Sequence, residues 1–397
     1  MSEKVSVQDI DPSGTRVLVR VDFNVPLDAH GQITDDSRIR AALPTICYLL
    51  EHGASVILAS HLGRPKGKVR SELSLASVAS RLSELLNRPV AFAPDSIGHE
   101  VLNRARKLEP DEVMLLENLR FHPEEEANDG DFATQLAGLA DLYVNDAFGA
   151  AHRAHASTVG VAHVLPAVSG LLMEREIEAL SGVLHHPRRP LAAIIGGAKI
   201  SGKIGVLRNL LDITDDYLIG GGMANTLLLA QGYDVGSSLV ERDKLDVARE
   251  FLHASEERGR AVHLPLDVVV ARKVTPDADS RVVPIDAVPS GWFIVDIGPE
   301  TIDAYACVLN KAATVVWNGP MGVFEIPAFA NGTNRIAEIL AESDADTIVG
   351  GGDSVAAVEQ LGLASRMTHV STGGGASLEF LEGRELPGVA VLPDRKD

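Results

Sequence analysis

The sequence is poor in several features that mark other classes of protein. Its 397 residues include only two cysteines, Cys47 and Cys307, without the spacing of a CxxC motif or a metal site. Such usage is typical of a reducing compartment, so we expect a cytoplasmic protein in which both cysteines are packing residues. No apolar run approaches the roughly 18 residues of a membrane span. The first ten residues lack the apolar core of a secretion signal, and we expect none.

Positive charge is also scarce, because 36 lysines and arginines face 55 acidic residues and leave a net charge of -19. A molecule with this charge repels nucleic acids and anionic membranes, so we expect neither as a partner. An anionic ligand would therefore need a local cluster of basic residues. The hydrophobic fraction of 45% is ordinary for a globular enzyme, and the length allows two or three domains of about 150 residues.

The first half of the chain alternates strand patterns with helix patterns, which predicts a parallel sheet with helices on both faces. Ligands of such sheets bind outside the carboxyl ends of the strands. The residues expected at those ends are Asp22, Asn24, His61, Arg64, Arg120, His152 and Arg153, and Arg38 opens the helix after the first loop. Any one arginine alone would be a solvated surface charge. Several at equivalent positions predict a site for phosphate or carboxylate, which a guanidinium binds bidentately. We expect the acidic run at residues 124–126 to be a solvated loop.

Residues 191–204 (LAAIIGGAKISGKI) predict a buried strand, a glycine turn and a helix. Lys199 and Lys203 are four residues apart, so we expect them on one face of that helix, near its N-terminus. Helix N-termini favour anions, and two ammonium groups beside one suit a polyphosphate. The alternative is an ordinary turn with two solvated lysines. The segment also fits all but the last position of the P-loop pattern, where Ile204 replaces the hydroxyl that holds Mg²⁺, so we expect no P-loop.

The second half repeats the strand-then-helix rhythm with glycine-rich loops at residues 196–197, 220–222, 298–299, 319–322, 350–353 and 373–375. Glycine allows a positive φ and a close approach of backbone to ligand, so such loops on one edge of a sheet predict a nucleotide-phosphate site. Asp353 is the best candidate for a Mg²⁺ ligand, and its alternative role is a helix N-cap. Glu325 is either the partner of a sugar hydroxyl or a loop charge.

Eight motifs, in chain order, resemble those of phosphoglycerate kinases. They are RVDFNVP (20–26), SHLGRP (60–65), ENLRF (117–121), AHRAH (151–155), GGAK (196–199), GGGMA (220–224), WNGP (317–320) and STGGGA (371–376). The resemblance extends over residues 16–383. It implies an α/β protein of two Rossmann-like domains, each a mostly parallel sheet with helices on both faces, joined by a hinge helix. We expect domains at residues 1–170 and 188–385, the helix at 171–187, and a tail, 386–397, packed on the first domain.

The resemblance also implies a glycolytic activity, the reversible phosphoryl transfer between 1,3-bisphosphoglycerate and ADP that gives 3-phosphoglycerate and ATP, with Mg²⁺ on the nucleotide. It implies in-line transfer in a closing interdomain cleft, without a general base because both oxyanions are ionised near neutral pH. The implied substrate-binding residues are Asp22, Phe23, Asn24, Arg38, His61, Leu62, Gly63, Arg64, Arg120 and Arg153. The implied nucleotide-binding residues are Gly197, Ala198, Lys203, Gly222, Gly298, Asn318, Pro320, Glu325, Gly351, Gly352, Asp353 and Ser354. The implied catalytic residues are Arg38, Lys199, Lys203 and Gly374, and the implied metal ligand is Asp353.

The sequence departs from the family's pattern at Gly202, usually aspartate, at Asn225, often aromatic, and at Ser354, commonly threonine. We expect Gly202 to loosen the local geometry or to change how Lys203 is held. The sequence leaves two alternative functions: an anion- or nucleotide-binding protein without catalysis, which the presence of Arg38 and Lys199 disfavours, and a P-loop NTPase, which Ile204 disfavours. We expect a monomer whose partners are small molecules.

Overall fold

The computed structural model describes residues 3–395 of the chain. They divide into two compact units. Unit 1 contains the described residues up to Glu178 together with those from Glu385 onward, and unit 2 runs from Ala179 to Arg384. The division therefore falls inside one long helix, Leu171–His185. Among the described residues, no helix has both the length and the apolar character needed to cross a bilayer.

Unit 1 is built on a sheet of six parallel strands. They are β1 (Arg16–Arg20), β2 (Ser55–Ala59), β3 (Val90–Phe92), β4 (Val113–Leu115), β5 (Leu142–Asn145) and β6 (Ala167–Ser169). Their order across the sheet is β3-β4-β2-β1-β5-β6. All positions of β2 and β4 are buried, as expected when both faces of a parallel sheet are covered. The strands at the centre of the sheet thus end at a common, well-packed edge.

The longer helices of unit 1 bury an apolar face, whereas the short α4 buries Glu125. They are α1 (Ser37–Glu51), α2 (Ala76–Leu86), α3 (His99–Ala105), α4 (Pro123–Glu126), α5 (Gly130–Ala137) and the start of α6 (Leu171–His185). In α1, the buried residues include Ile39, Ala42, Ile46 and Leu49, spaced three or four apart. This spacing places them on a single stripe of the helix, and they join the core formed by β1 and β2.

The C-terminal segment packs on unit 1 through a short helix, Pro387–Ala390. Gly388 donates its N–H to the carbonyl of Ala151 at 2.8 Å, and its own carbonyl accepts from Nδ2 of Asn145 at 3.0 Å. A Cβ at position 388 would lie 2.9 Å from Cα of Ala151, so this approach requires glycine. Further along, Lys4 pairs with Asp394 at 2.7 Å. The last two residues of the expected tail, 396 and 397, lie outside the described residues.

Unit 2 contains a second six-stranded parallel sheet and a smaller antiparallel one. In chain order the strands are β7 (Leu191–Ile195), β8 (Asp216–Ile219), β9 (Ala261–His263), β10 (Asp267–Ala271), β11 (Ser280–Pro284), β12 (Phe293–Ile297), β13 (Thr314–Asn318), β14 (Asp346–Gly350) and β15 (His369–Val370). The parallel sheet has the order β15-β14-β13-β7-β8-β9, and the antiparallel sheet has the order β11-β10-β12. The predicted fold class, two parallel-sheet α/β domains, is confirmed. The antiparallel sheet was not predicted from the sequence.

Most helices of unit 2 begin directly after a strand. They are α7 (Ile204–Asn209), α8 (Gly221–Ala230), α9 (Leu245–Glu257), α10 (Pro299–Leu309), α11 (Asn331–Glu342), α12 (Gly352–Gln360) and α13 (Gly375–Leu381). Helices α8, α10, α12 and α13 start at the glycine loops from which they were expected. The buried indole of Trp317 anchors the centre of this core and donates from Nε1 to the carbonyl of Gly319 at 2.8 Å.

The expectation that Lys199 and Lys203 share one helix face is wrong. Residues Ile200–Gly202 form a single 3-10 turn, and α7 begins at Ile204, after both lysines. Lys199 has extended backbone angles, φ -133° and ψ 132°. Glycine has a poor helix propensity, so Gly202 favours the interruption. The two ammonium groups therefore belong to a loop rather than to a helix.

Candidate active site

In unit 1, the predicted basic and polar residues lie in loops at the carboxyl ends of four adjacent strands, β4, β2, β1 and β5. Asp22 and Asn24 follow β1, His61 and Arg64 follow β2, Arg120 lies in a 3-10 turn after β4, and Arg153 follows β5. Parallel strands bring these ends to one edge of the sheet. The sequence therefore assembles a cationic surface at the edge where ligands of parallel sheets bind.

Hydrogen bonds connect these loops to one another. Arg38 donates from Nη1 to Oδ2 of Asp22 at 2.6 Å, which joins the start of α1 to the loop after β1. Oδ1 of Asn24 accepts from the N–H of Gly63 at 2.9 Å, and Arg120 donates to the carbonyl of Gly63 at 2.9 Å. The loop after β2 is thus held by residues from the loops after β1 and β4. This network fixes the positions of the charged side chains before any ligand binds.

The charges of the network shift the protonation of its members. Burial raises the pKa of the Asp22 carboxyl, but His61 when protonated, Arg38 and Arg20 together lower it below its usual range. Burial lowers the pKa of His61 well below its usual range, against the opposing effect of Asp22. At neutral pH, Asp22 is therefore an anion and His61 is uncharged.

The remaining predicted substrate-binding residues differ in how accessible they are. Phe23 and Leu62 are buried, and their N–H groups donate to Ser60 and Asn118 at 2.8 and 3.2 Å. Their side chains pack beneath the loops. Arg64 is exposed and makes no hydrogen bond or ion pair with any residue that the structure describes. Arg153 is also exposed, and its Nε lies 3.1 Å from Nε2 of His152. These two arginines keep their charge available for a ligand.

Sequence reasoning missed the buried charges under this surface. Arg20, the last residue of β1, is 1% exposed, and Glu125 in α4 is fully buried. The expected solvated loop at residues 124–126 is therefore wrong for its central residue. Glu125 accepts hydrogen bonds from the N–H of Ser157 at 2.9 Å and from its hydroxyl at 2.6 Å. The arginine that directly follows the apolar residues 17–19 of β1 was the one signal of such a network in the sequence.

Unit 2 contains a cavity of about 350 Å³, the size of a small-molecule site. Its lining comes from the loops after β7 and β13, from strands β10 and β12 and from the starts of α8 and α12. It is mostly apolar, with Leu239, Pro265, Val268, Phe293 and Val323 among its members. Three acidic residues, Asp296, Glu325 and Asp353, also line it. Six predicted nucleotide-binding residues are in the lining: Gly197, Ala198, Gly222, Pro320, Glu325 and Asp353. An apolar slot with polar groups at intervals suits a heterocyclic base and its sugar.

Asp296, which the sequence analysis did not single out, forms part of the wall of this cavity. Its carboxyl accepts from the N–H of Gly332 at 2.6 Å and from that of Ile297 at 2.9 Å. Burial raises the pKa of Asp296 to about 7. Through these bonds the residue ties the end of β12 to the start of α11.

Next to the cavity, charged and polar side chains gather around the loops after β13 and β14. Lys203 donates from Nζ to Oδ1 of Asn318. Burial lowers the pKa of Lys203, although the charges of Asp353 and Glu382 oppose the shift. The Ser354 hydroxyl donates to the carbonyl of Gly350 at 2.6 Å and accepts from the N–H of Gly319 at 3.0 Å. Ser354 therefore ties two ligand loops together, and its hydroxyl is fully engaged in that task.

Asp353 keeps its carboxylate free. The N-cap of α12 is Gly351, so the alternative role of Asp353 as an N-cap is wrong. Its side chain is exposed, and it lines the cavity. The described residues contain no group of three or more His, Cys, Asp or Glu side chains that could hold a metal ion. A single free carboxylate fits Mg²⁺, which proteins often bind through one or two carboxylates together with the phosphates of a substrate.

The glycines of the loops fall into two groups. Cβ atoms at Gly196 and Gly222 would lie 2.1 and 2.6 Å from backbone atoms of neighbouring loops, and Gly221, with φ +65°, would collide with Gly197 at 2.7 Å. At these three positions the absence of a Cβ atom allows neighbouring loops to pack closely against one another. Gly352 and Gly374 instead face open space, since an added Cβ would meet nothing within 4 Å. These are the positions where backbone remains open to a ligand.

The predicted residue Gly298 does not belong to the parallel-sheet edge that carries the other glycine loops. Gly298 follows β12 of the antiparallel sheet, and a Cβ there would lie 2.3 Å from the carboxyl of Asp267. It is buried against that residue and is not part of the cavity lining.

Lys199 is exposed and makes no hydrogen bond or ion pair with any described residue. Gly202 also faces open space, so the turn does not require glycine at this position.

Comparison with known proteins decides the family. The family model for phosphoglycerate kinase matches residues 7–384. The phosphoglycerate kinase of Moorella thermoacetica is 61% identical over 392 residues, which cover 99% of this chain and 100% of the relative. The chain belongs to the phosphoglycerate kinase family. A phosphoglycerate kinase from Roseiflexus sp. strain RS-1 is 60% identical over 98% of this chain and 99% of its own.

Solved structures of phosphoglycerate kinases have the same architecture. The enzyme from Coxiella burnetii matches with a TM-score of 0.88 at 45% identity, over 98% of both chains. The enzyme from Pyrococcus horikoshii OT3 matches with a TM-score of 0.85 at 34% identity, also over 98% of both chains. As a phosphoglycerate kinase, the protein is a phosphotransferase with a carboxyl group as acceptor, and its family's function is phosphoryl transfer in glycolysis.

Proposed function

We propose that unit 1 binds 3-phosphoglycerate or 1,3-bisphosphoglycerate and that unit 2 binds ADP or ATP with Mg²⁺. The observation that supports this assignment is that the two units contain sites of different chemical character. Cationic side chains gather at the sheet edge of unit 1, and an apolar cavity flanked by open glycine backbone occurs in unit 2. A small anion with two charged ends needs the first, and a nucleotide needs the second.

In unit 1, the proposed contacts divide by charge. Arg64, Arg120 and Arg153 are candidates for the phosphate, because guanidinium groups bind phosphate oxygens bidentately. Asp22 and Asn24 offer acceptor oxygens for the substrate hydroxyl, and neutral His61 offers one ring N–H. Phe23, Leu62 and Gly63 act by shaping the loops, since the two apolar side chains are buried and Gly63 is bound by Asn24 and Arg120.

In unit 2, the base and sugar occupy the cavity, and the phosphates extend toward α12. The N-terminus of this nine-residue helix presents free N–H groups at Gly351, Gly352 and Asp353. Glu325 is a candidate acceptor for a ribose hydroxyl, since it is exposed and lines the cavity. Lys203, held by Asn318, adds a positive charge beside the phosphates. Gly298 supports the wall of the site through its contact with Asp267.

The transfer itself requires compensation of charge rather than proton movement. In the direction of ATP synthesis, the bond between phosphorus and the acyl oxygen breaks as a bond forms to the terminal oxygen of ADP. Both oxygens are ionised near neutral pH, so no general base is needed. Arg38 and Lys199 are the proposed cations for the moving group, and the open N-terminal turn at Gly374 is a candidate to donate backbone hydrogen bonds to it. Mg²⁺, held through Asp353, would neutralise the nucleotide phosphates when bound.

We further propose that the protein acts in the cytoplasm as a monomer, with small molecules as its partners. Both cysteines are free thiols, which supports a reducing compartment. The expectation that both are packing residues is wrong for Cys307, which is exposed on α10. Size-exclusion chromatography with light scattering tests the oligomeric state, and a mass of one chain is the expected result.

The test is a coupled assay that supplies ATP, Mg²⁺ and 3-phosphoglycerate and removes the acyl phosphate by reduction with NADH. We expect steady turnover that depends on Mg²⁺ and falls by at least about a hundredfold in Arg38→Ala, which corresponds to about 2.7 kcal/mol of lost transition-state stabilisation. The matched control is Arg106→Ala, which removes an exposed arginine outside the site. No turnover in the wild type, with nucleotide binding still measurable, would favour a binding protein without catalysis.

A further inference from the structure

One buried arginine of unit 1, Arg20, determines which nitrogen of His61 carries the proton. Nη2 of Arg20 lies 3.1 Å from Nδ1 of His61. A guanidinium has donors only and keeps its proton throughout the range in which proteins fold. Nδ1 must therefore be the acceptor, so the ring is neutral and its proton is on Nε2. No described residue accepts a hydrogen bond from this Nε2–H, which leaves it for a ligand.

A buried acid holds Arg20 in this position. Arg20 donates from Nε to the Ser157 hydroxyl at 2.8 Å, and that hydroxyl donates to Oε1 of Glu125 at 2.6 Å. All three residues are at most 1% exposed. A guanidinium removed from water needs a nearby negative charge. Glu125 supplies that charge through one intervening hydroxyl, and the N–H of Ser157 donates to its second oxygen at 2.9 Å.

We propose that Glu125 is a positioning residue for the acidic substrate, acting through Ser157 and Arg20 to hold His61 as its neutral Nε2–H form. In this form His61 donates one hydrogen bond to an anionic oxygen of the substrate. The inference rests on the proposed function, because it assigns the acid to unit 1. The groups whose charges act on the ring are Asp22, Arg20, Arg38 and Arg120. Among three arginines, a neutral donor binds the substrate without adding repulsion between cations.

The protonation state is measured directly on the full chain labelled with ¹⁵N. Protonated and unprotonated imidazole nitrogens have well-separated chemical shifts, and the His61→Gln variant identifies the signals of this ring. At pH 7 we expect a protonated Nε2 and an unprotonated Nδ1 in the wild type. A proton on Nδ1, or protons on both nitrogens, would overturn the proposal.

The positioning role is tested with Glu125→Gln, which keeps the shape of the side chain and removes its charge. We expect the KM for 3-phosphoglycerate to rise about tenfold, which equals about 1.4 kcal/mol, with the KM for Mg-ATP unchanged and the single form of His61 lost from the spectrum. The matched control is Glu124→Gln, because Glu124 is the exposed neighbour on the same short helix.

A second variant, Ser157→Ala, removes the same link without touching the acid and should have the same two effects. If either folded variant keeps the wild-type spectrum of His61, or raises both KM values equally, Glu125 is only a structural residue. Failure of the proposed function would be a different result, in which His61→Gln leaves the KM for 3-phosphoglycerate unchanged. If His61→Gln raises that KM while the wild-type ring is charged, only this inference fails.

Discussion

Arg38 donates a hydrogen bond from Nη1 to Oδ2 of Asp22 at 2.6 Å, across the loop that joins β1 to α1. The arginine side chain is 34% exposed and that of the aspartate is 12% exposed. An ion pair with this exposure adds only about 0–1 kcal/mol to stability. The ion pair therefore serves mainly to position Arg38. It holds the guanidinium group while Nε and Nη2 of Arg38 have no partner among the described residues.

Asp22→Asn tests this positional role. Asparagine accepts a weaker, neutral hydrogen bond, so Arg38 would be less restrained, and we expect kcat/KM to fall about tenfold. Thermal unfolding should change little. The control is Asp141→Asn, which weakens a pair of 2.7 Å with Arg16 at the opposite end of β1 and should leave kcat/KM unchanged. Equal kinetics for both variants would show that Asp22 does not position Arg38.

Removal of the free carboxylate of Asp353 should change the requirement for metal. In Asp353→Asn we expect the Mg²⁺ concentration for half-maximal rate to rise by about tenfold or more, because a neutral amide is a weaker ligand for a hard cation. Asp344→Asn, also exposed and in the same unit, is the matched control. Chelation of Mg²⁺ should stop turnover in every variant. An unchanged Mg²⁺ dependence in Asp353→Asn would remove this residue from the metal site.

Glycine substitutions should separate packing from function. Gly374→Ala and Gly259→Ala both place a side chain at positive φ, +53° and +64°, with no atom within 4 Å. Each should cost about 1–3 kcal/mol of stability through backbone strain. Only Gly374→Ala should reduce kcat, by at least about tenfold. Equal kcat in the two variants would exclude a role for the Gly374 turn in transfer. Gly221→Ala adds a collision at 2.7 Å to its strain and should lower the melting temperature furthest.

The buried carboxyl of Asp146 should make stability depend on pH. It accepts from the N–H groups of Leu172 and Met173 at 2.9 and 3.1 Å, and burial raises its pKa from 3.8 to about 6. A raised pKa means that the folded state binds this proton more tightly than the unfolded state does. Asp146 therefore contributes most to the free energy of unfolding below about pH 4. This contribution falls by about 3 kcal/mol in total as the pH rises through 6.

Asp146→Asn removes this titration and keeps an acceptor oxygen for the two N–H groups. We expect the melting temperature of the variant, relative to the wild type, to rise between pH 5 and pH 8. Glu124→Gln, at an exposed carboxylate, should show no such trend. If the difference between Asp146→Asn and the wild type is constant over this range, Asp146 is not a proton-linked site.

The loops that meet at the carboxyl ends of the strands in each sheet were predictable from the local sequence pattern. Apolar β-branched runs followed by glycine or by a basic residue predicted the strands, and parallel pairing then predicted which loops come together. Arg120 illustrates this success, because the sequence alone indicated that it follows a buried strand and shares an edge with His61. The helix starts at Gly352 and Gly375 were predictable for the same reason.

Contacts between distant segments were not predictable in the same way. Glu125 looked like part of a solvated acidic run, and only the packing of α4 against the segment of Ser157 buries it. The prediction that Lys199 and Lys203 share a helix face was wrong for a local reason. A four-residue spacing suits a helix, but the 3-10 turn between the two lysines ends at Gly202. The antiparallel strands β10 to β12 also depend on tertiary pairing, because short strand patterns alone do not fix direction.

The assignment of one ligand to each unit is tested most directly by calorimetric titration of two variants with two ligands. Arg64→Ala should lose most of its affinity for 3-phosphoglycerate and keep the wild-type affinity for Mg-ATP. Lys203→Ala should show the reverse pattern, and Lys311→Ala, at an exposed lysine outside the site, should bind both ligands normally. If either of the first two variants weakens both ligands equally, or neither, the division of the site between the units is contradicted.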